Sequence, residues 1–277
     1  MRGMWWAELL NIIAGTLSSG APGIPPFPLP LTNVKAWYDA ADTSSISLSG
    51  SAVTQWNDKS GNGYNVTQGT ATNRPASGVS TLNTLNVIDF DGVDNFLTAA
   101  TASNWTFLKS NTAYLTCMVV KLGTGAVRAE DYMGVINLAD SASEGGTNYY
   151  ADYRVSRQRF SHTQNNASLG SVIVNDADAS FAEQSYYNIG VLGDPANATA
   201  ANRSKIFKNT GTAITNNTQT AAADTGAPAR PLEIGRYSNT FGYLQGSIAE
   251  IVIFNATGAT DANRISIRDY FTAKWGI

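Results

Sequence analysis

The stretch Gly246-Ser247-Ile248-Ala249-Glu250-Ile251-Val252-Ile253-Phe254 decides how this chain is read. A glycine leads into an alternating run. Ile248, Glu250, Val252 and Phe254 share one face, and Ala249, Ile251 and Ile253 share the other. Only Glu250 interrupts the apolar set, so the strand is expected to be buried on most of both faces. A turn is expected over 255–258, followed by a helix that Thr260 caps. In that helix Ile267, Tyr270, Phe271 and Lys274 fall on one face at spacings of three and four, with Trp275 beside them. Upstream, Leu232-Glu233-Ile234-Gly235-Arg236 adds a shorter strand.

Further towards the N-terminus, Trp37-Tyr38-Asp39-Ala40-Ala41-Asp42 opens the folded region. Trp37 and Trp56 are large apolar groups suited to an interior. Between Asn57 and Gly63 the residues are those of turns, with glycines supplying positive φ. Asp39, Asp42 and Asp58 read first as turn caps that bond nearby amides, and second as metal ligands. Val87, Asp89 and Asp91 alternate with Ile88 and Phe90 in a strand, and Asp91-Gly92 makes its turn. Residues 113–122 form a strong buried strand, and short strands recur at regular spacing through the middle. No internal repeat or heptad pattern is present.

The ordered blocks resemble the laminin G-like, concanavalin A-like lectin/glucanase domains of bacterial and phage proteins. The carriers are Trp37 to Asp42, Val53 to Gly63, Arg74-Pro75, Phe90-Asp91-Gly92 with Asp94, Ile234-Gly235, Gly246 to Phe254, and Lys274-Trp275-Gly276. The resemblance brackets nearly all of residues 33–277. It implies an all-β, antiparallel two-sheet jelly-roll sandwich with a short C-terminal helix. It says much less about function.

Charged residues make up 14% of the 277 and the net charge is -3, so nothing marks a nucleic-acid surface. The lone cysteine, Cys117, excludes an intrachain disulfide and reads as a core thiol.

Residues 1–17 read as an amphipathic helical anchor, with Trp5, Trp6, Leu9, Leu10, Ile13 and Leu17 on its apolar side. The helix is too short for a membrane span, and the paired tryptophans with Glu8 suit a signal peptide poorly. Residues 18–32 hold five prolines from Pro22 to Pro30 and read as an extended spacer. The domain proper is then 33–277.

Catalytic constellations are scarce. Glycoside hydrolysis needs two carboxylates roughly 5–10 Å apart, and no glutamates here have the paired spacing of glucanases. A serine triad would depend wholly on His162, which reads as a surface or hydrogen-bonding residue. Zinc would need more Cys or His than one of each. Calcium is the one cofactor the sequence leaves open, at Asp91 with Asp94 or Asp176 with Asp178, pairs that read more simply as turns. Tyr149, Tyr153, Arg236, Tyr237, Asn239 and Tyr243 supply the aromatic and polar types of a glycan site.

The expectation is a non-enzymatic virion structural protein, of the phage capsid-decoration, fibre or tail-associated kind. Its N-terminus would dock on capsid or tail proteins, and its jelly roll would face outward, open to homo-oligomers and cell-surface glycan. The alternative is a free lectin or adhesin, secreted or on a bacterial cell surface.

Overall fold

The computed structural model describes residues 23–123, 132–138, 146–152, 159–166, 170–175, 180–216, 228, 230–238 and 241–277. The anchor residues Trp5, Trp6, Leu9, Leu10, Ile13 and Leu17 lie outside that set, as do Tyr153, Asn239, Asp176 and Asp178.

Strands dominate. The first seven are β1 (Val34–Asp39), β2 (Ile46–Ser49), β3 (Ala52–Trp56), β4 (Val66–Thr67), β5 (Ala76–Leu82), β6 (Leu85–Asp91) and β7 (Leu97–Ala99). The middle holds β8 (Tyr114–Leu122), β9 (Tyr132–Asn137), β10 (Gly146–Asp152), β11 (Arg159–Asn166) and β12 (Gly170–Asn175). The last are β13 (Tyr186–Gly193), β14 (Ser204–Lys208), β15 (Ile214–Thr215), β16 (Glu233–Ile234) and β17 (Gln245–Phe254). One α-helix, α1 (Asp261–Trp275), follows among the described residues.

Among the described residues every pairing is antiparallel, and together the pairings link the seventeen strands into one sheet. One run goes β15-β14-β13-β8-β17. Beyond β17, the edge is shared by β1 along residues 250–254 and by β6 along 245–248. The other run goes β2-β3-β4-β7-β16-β9-β10-β11-β12. The runs meet at a corner where β5, paired to β6, touches β3 through Ala52 and Ala76. The all-β expectation and the C-terminal helix both hold.

Two apolar clusters explain the order of the layers. The larger joins Met118 and Val120 of β8 and Ile251 and Ile253 of β17 to Leu97, Ile136, Phe160 and Ile234 of the second run. The smaller places Leu115, Cys117, Val119, Val252 and Phe254 under Ile267, Tyr270, Phe271 and Trp275 of α1. Strands β8 and β17 are therefore buried on both faces, and burying each large helix side chain contributes roughly 1.5–3 kcal/mol. Burial also pushes the Cys117 thiol up to about 12, as befits an inert core cysteine.

The simple alternation expected for β17 is broken. A bulge between Ile248 and Glu250 shifts the register against β8. Ile248 thus joins Ile251 and Ile253 in the larger cluster, while Ala249 goes with Val252 and Phe254 under the helix. Helix α1 begins as expected, with the Thr260 hydroxyl accepting from the Asn263 amide at 3.1 Å. It ends at Gly276, whose φ of 71° is the left-handed cap.

The proline-rich stretch is not a free spacer along its second half. Phe27 stacks on Trp37 with ring centroids 4.3 Å apart and meets Tyr270 edge-on at 5.6 Å. Leu29 packs on the same cluster. Two apolar residues between prolines had enough surface to dock, which the spacer reading overlooked.

Candidate functional site

Three constellations compete for function, and two of them are sealed. The first centres on Glu250, which no solvent reaches. Its Oε1 accepts from the Trp37 indole at 2.7 Å and the Tyr270 hydroxyl at 3.1 Å. Its Oε2 accepts from the Trp275 indole and the Lys274 ammonium, each at 2.8 Å. Lys274 also reaches Asp39 Oδ1 at 2.6 Å, and Asp39 Oδ2 takes Lys59 at 2.9 Å. Burial first, and then the neighbouring Asp39, push the Glu250 carboxyl up to about 7, with Lys274 and the indole donor pulling it back. Asp58 serves the adjoining loop by accepting from the backbone amides of Trp37, Ser60 and Tyr64. Residues from blocks more than 200 positions apart in the chain thus meet in one network that ties β1, β17 and α1 together.

The second constellation surrounds His162, which is fully buried. One ring nitrogen lies 2.9 Å from the Tyr114 hydroxyl and the other 2.7 Å from Ser204 Oγ. Nearby, Tyr149 OH bonds Thr116 at 2.9 Å, and Gln164 donates to the Lys109 carbonyl at 2.9 Å. Burial lowers the imidazole to about 3. Of the two roles expected for His162, hydrogen-bonding holds and surface is corrected, because β11 inserts Phe160, His162 and Gln164 into the interior.

Of the residues expected to hold a glycan, four are described: Tyr149 is turned into the interior, while Arg236 pairs with Tyr243 beside Tyr237. Tyr149 is fully buried beside His162, with ring centroids 5.0 Å apart, so it offers no face to solvent. Arg236 is bonded to Glu233 at 2.8 Å and lies 3.6 Å from the Phe96 ring centre. Tyr237 is half-buried and stacks on Tyr132 at 5.0 Å, with Tyr150 edge-on and Phe241 tilted against it. These aromatics largely satisfy one another. Tyr243 is half-buried and bridges back to Arg236 across a tight hairpin. The hairpin lies against Gly134, where an added Cβ would come within 2.1 Å of the Arg236 carbonyl carbon.

At the calcium candidates, Asp91 Oδ1 accepts from the amides of Val93 at 2.9 Å and Asp94 at 3.3 Å, which is turn chemistry. Desolvation and then Asp91 raise the Asp94 carboxyl. Among the described residues no three His, Cys, Asp or Glu side chains group as a metal site, and no helix is long and apolar enough to cross a membrane.

The third constellation is open. A cleft of about 260 Å³ lies between the 62–65 loop and residues 99–105. Tyr64 and Trp105 lie in its wall with ring centroids 5.5 Å apart. Asn62, Asn65, Thr101 and Asn104 complete the polar part, and no charged side chain lines it. Sequence reading passed over this cleft because Asn104-Trp105-Thr106 sits in a short 3-10 helix, Ala102–Leu108, that has no periodic signal.

No protein-family model matches the chain, and no curated protein does. Similar solved structures do exist. Trypanosoma rangeli sialidase in complex with sialic acid superposes with a TM-score of 0.55 at 11% identity, over 96% of this chain and 38% of the sialidase. The botulinum neurotoxin serotype G binding domain gives 0.60 at 12%, over 86% of this chain and 51% of that one. Domain 4 of an extracellular arabinanase from Geobacillus stearothermophilus, in complex with arabinotriose, gives 0.51 at 12%, over 85% of this chain and 98% of the domain. The chain thus spans well under two thirds of the sialidase and the toxin chain. At these identities the likeness is one of fold, an all-β sandwich.

Proposed function

We propose that this chain is a non-catalytic, lectin-like module that binds glycan, displayed from a larger particle or surface by its N-terminal segment. In this reading the two strand runs are the two sheets of a jelly roll, packed across the larger apolar cluster. The observation that carries it is the fate of the chemically useful groups. Glu250 is committed to four donors and Glu233 to Arg236, while His162 is held neutral in the interior. What lines the open cleft at Tyr64 is amide, hydroxyl and aromatic, the composition of a recognition site rather than a hydrolytic one. The structural neighbours named for sialic acid and arabinotriose complexes support glycan as the ligand class. Probing a glycan array with the full chain, with and without chelator, tests this. Retention of defined glycans is expected, and silence under both conditions would remove the reading.

Display from a virion is the finer half of the proposal and rests on the sequence of residues 1–22, with Trp5 and Trp6 on one apolar side. Phe27 and Leu29 belong to the folded unit, so the informative deletion stops at residue 22. That truncated protein should fold and no longer join its particle. Normal incorporation would refute the anchor.

A further inference from the structure

The cleft beside Tyr64 has two properties that together specify a ligand. The first is rigidity. Asp58 ties down the amides of Ser60 and Tyr64, and Asn65 Oδ1 accepts the Asp58 amide at 2.9 Å. The Tyr38 hydroxyl donates to the Tyr64 carbonyl, and the Lys35 ammonium donates to the Tyr64 hydroxyl at 2.9 Å. A wall fixed in advance loses little entropy when it binds.

The second property is what this framework leaves unused. Asn65 has spent only its oxygen, so its NH2 remains available. Asn104, half-buried, and Thr101, exposed, make no side-chain hydrogen bond among the described residues, although both line the cleft. An amide offers a donor and an acceptor side by side, and a hydroxyl offers both on one atom. Adjacent sugar hydroxyls ask for that mixture, while the C–H face of a sugar ring suits an aromatic wall such as Tyr64. An anionic sugar would ask for a cation. None lines the cleft: the nearby Lys35 ammonium stays outside the lining, over the Tyr64 ring at 4.6 Å from its centroid, where it donates to the Tyr64 hydroxyl.

We propose that the cleft formed by Tyr64, Asn65, Thr101 and Asn104 is a subsite for one uncharged sugar ring. The proposal rests on the glycan-binding reading and gives it a place and a charge class. Sialylated or uronic-acid sugars are not its ligands.

The test is titration of the full chain with a neutral oligosaccharide retained on the array and with its sialylated counterpart, alongside Asn104→Trp. Asn104 has no internal hydrogen bond to lose, so its variant should unfold at the wild-type midpoint. The neutral sugar should bind at least about tenfold more weakly to Asn104→Trp, and the sialylated form should bind poorly throughout. Wild-type affinity in a folded Asn104→Trp would overturn the site while leaving the lectin reading intact. Preference for the sialylated form would overturn the charge class. No binding of any oligosaccharide would overturn both this subsite and the reading beneath it.

Discussion

The Lys274 ammonium lies 2.8 Å from Glu250 Oε2, with both side chains at 0% exposure. Helix α1 is thereby pinned to β17, and through Asp39 to β1, at the only registers that let the charges meet. A buried ion pair is not in itself a source of stability, because desolvation offsets most of the attraction. Its significance here is geometric, since any slip of the helix would strand charges in the core.

Removing Lys274 should therefore be severe. Lys274→Met leaves Glu250 and Asp39 buried beside each other without their shared cation, and a loss of about 3–5 kcal/mol is expected. Urea unfolding measures it. A loss below about 1 kcal/mol would mean that the carboxylates find water or other partners.

The pH dependence has a defined sign. His162 falls from an ordinary 6.5 to about 3 when folded, so the unfolded chain takes up a proton before the native state does. Its contribution to stability is present above pH 6.5 and is lost as pH falls towards 3. Glu250 works in reverse. Its folded value of about 7 lies above the ordinary 4.5, so stability rises as pH falls through that window. His162→Gln removes only the first effect. The stability gap between wild type and variant should shrink by roughly 2 kcal/mol between pH 6.5 and 4.5. A gap independent of pH, followed by thermal or urea unfolding, would contradict the buried neutral imidazole.

Phe27→Ala removes the stack on Trp37 and the edge contact with Tyr270. A destabilisation of about 1–2 kcal/mol is expected, together with faster proteolytic cleavage between residues 23 and 31. Unchanged cleavage would show that the docking of residues 23–31 does not depend on this ring.

Gly134→Ala puts a methyl group into the backbone of Arg236, where the Gly134 amide also donates to the Gly242 carbonyl at 2.8 Å. The 235–244 hairpin should be displaced, with a drop of several °C in Tm and increased exposure of Tyr237 in tyrosine fluorescence. A variant that keeps the wild-type Tm would mean that the approach relaxes at little cost.

Much of the fold was legible because its signals are local. The double-sided apolar run of β17, the Thr260 cap and the spacing of Ile267, Tyr270, Phe271 and Lys274 each lie within one element. The bulge at Ile248–Glu250 was not legible, since one displaced residue inverts the faces while leaving the composition unchanged. The hydrogen-bonding role of His162 was legible but its burial was not, because strand β11 carries polar residues inward, where Tyr114 and Ser204 satisfy them. Those partners lie 48 and 42 positions away. The cleft depends on Tyr64 meeting Trp105 across two runs of chain, a relationship that no local pattern encodes.

The proposed recognition of sugar without cleavage can be read in a single experiment. The full chain is titrated with an oligosaccharide retained on the array, and the sugar is then recovered and analysed by chromatography. Non-catalytic recognition predicts saturable binding and quantitative recovery of the intact oligosaccharide. Shortened or hydrolysed sugar in the recovered fraction, or no saturable binding at all, would contradict it.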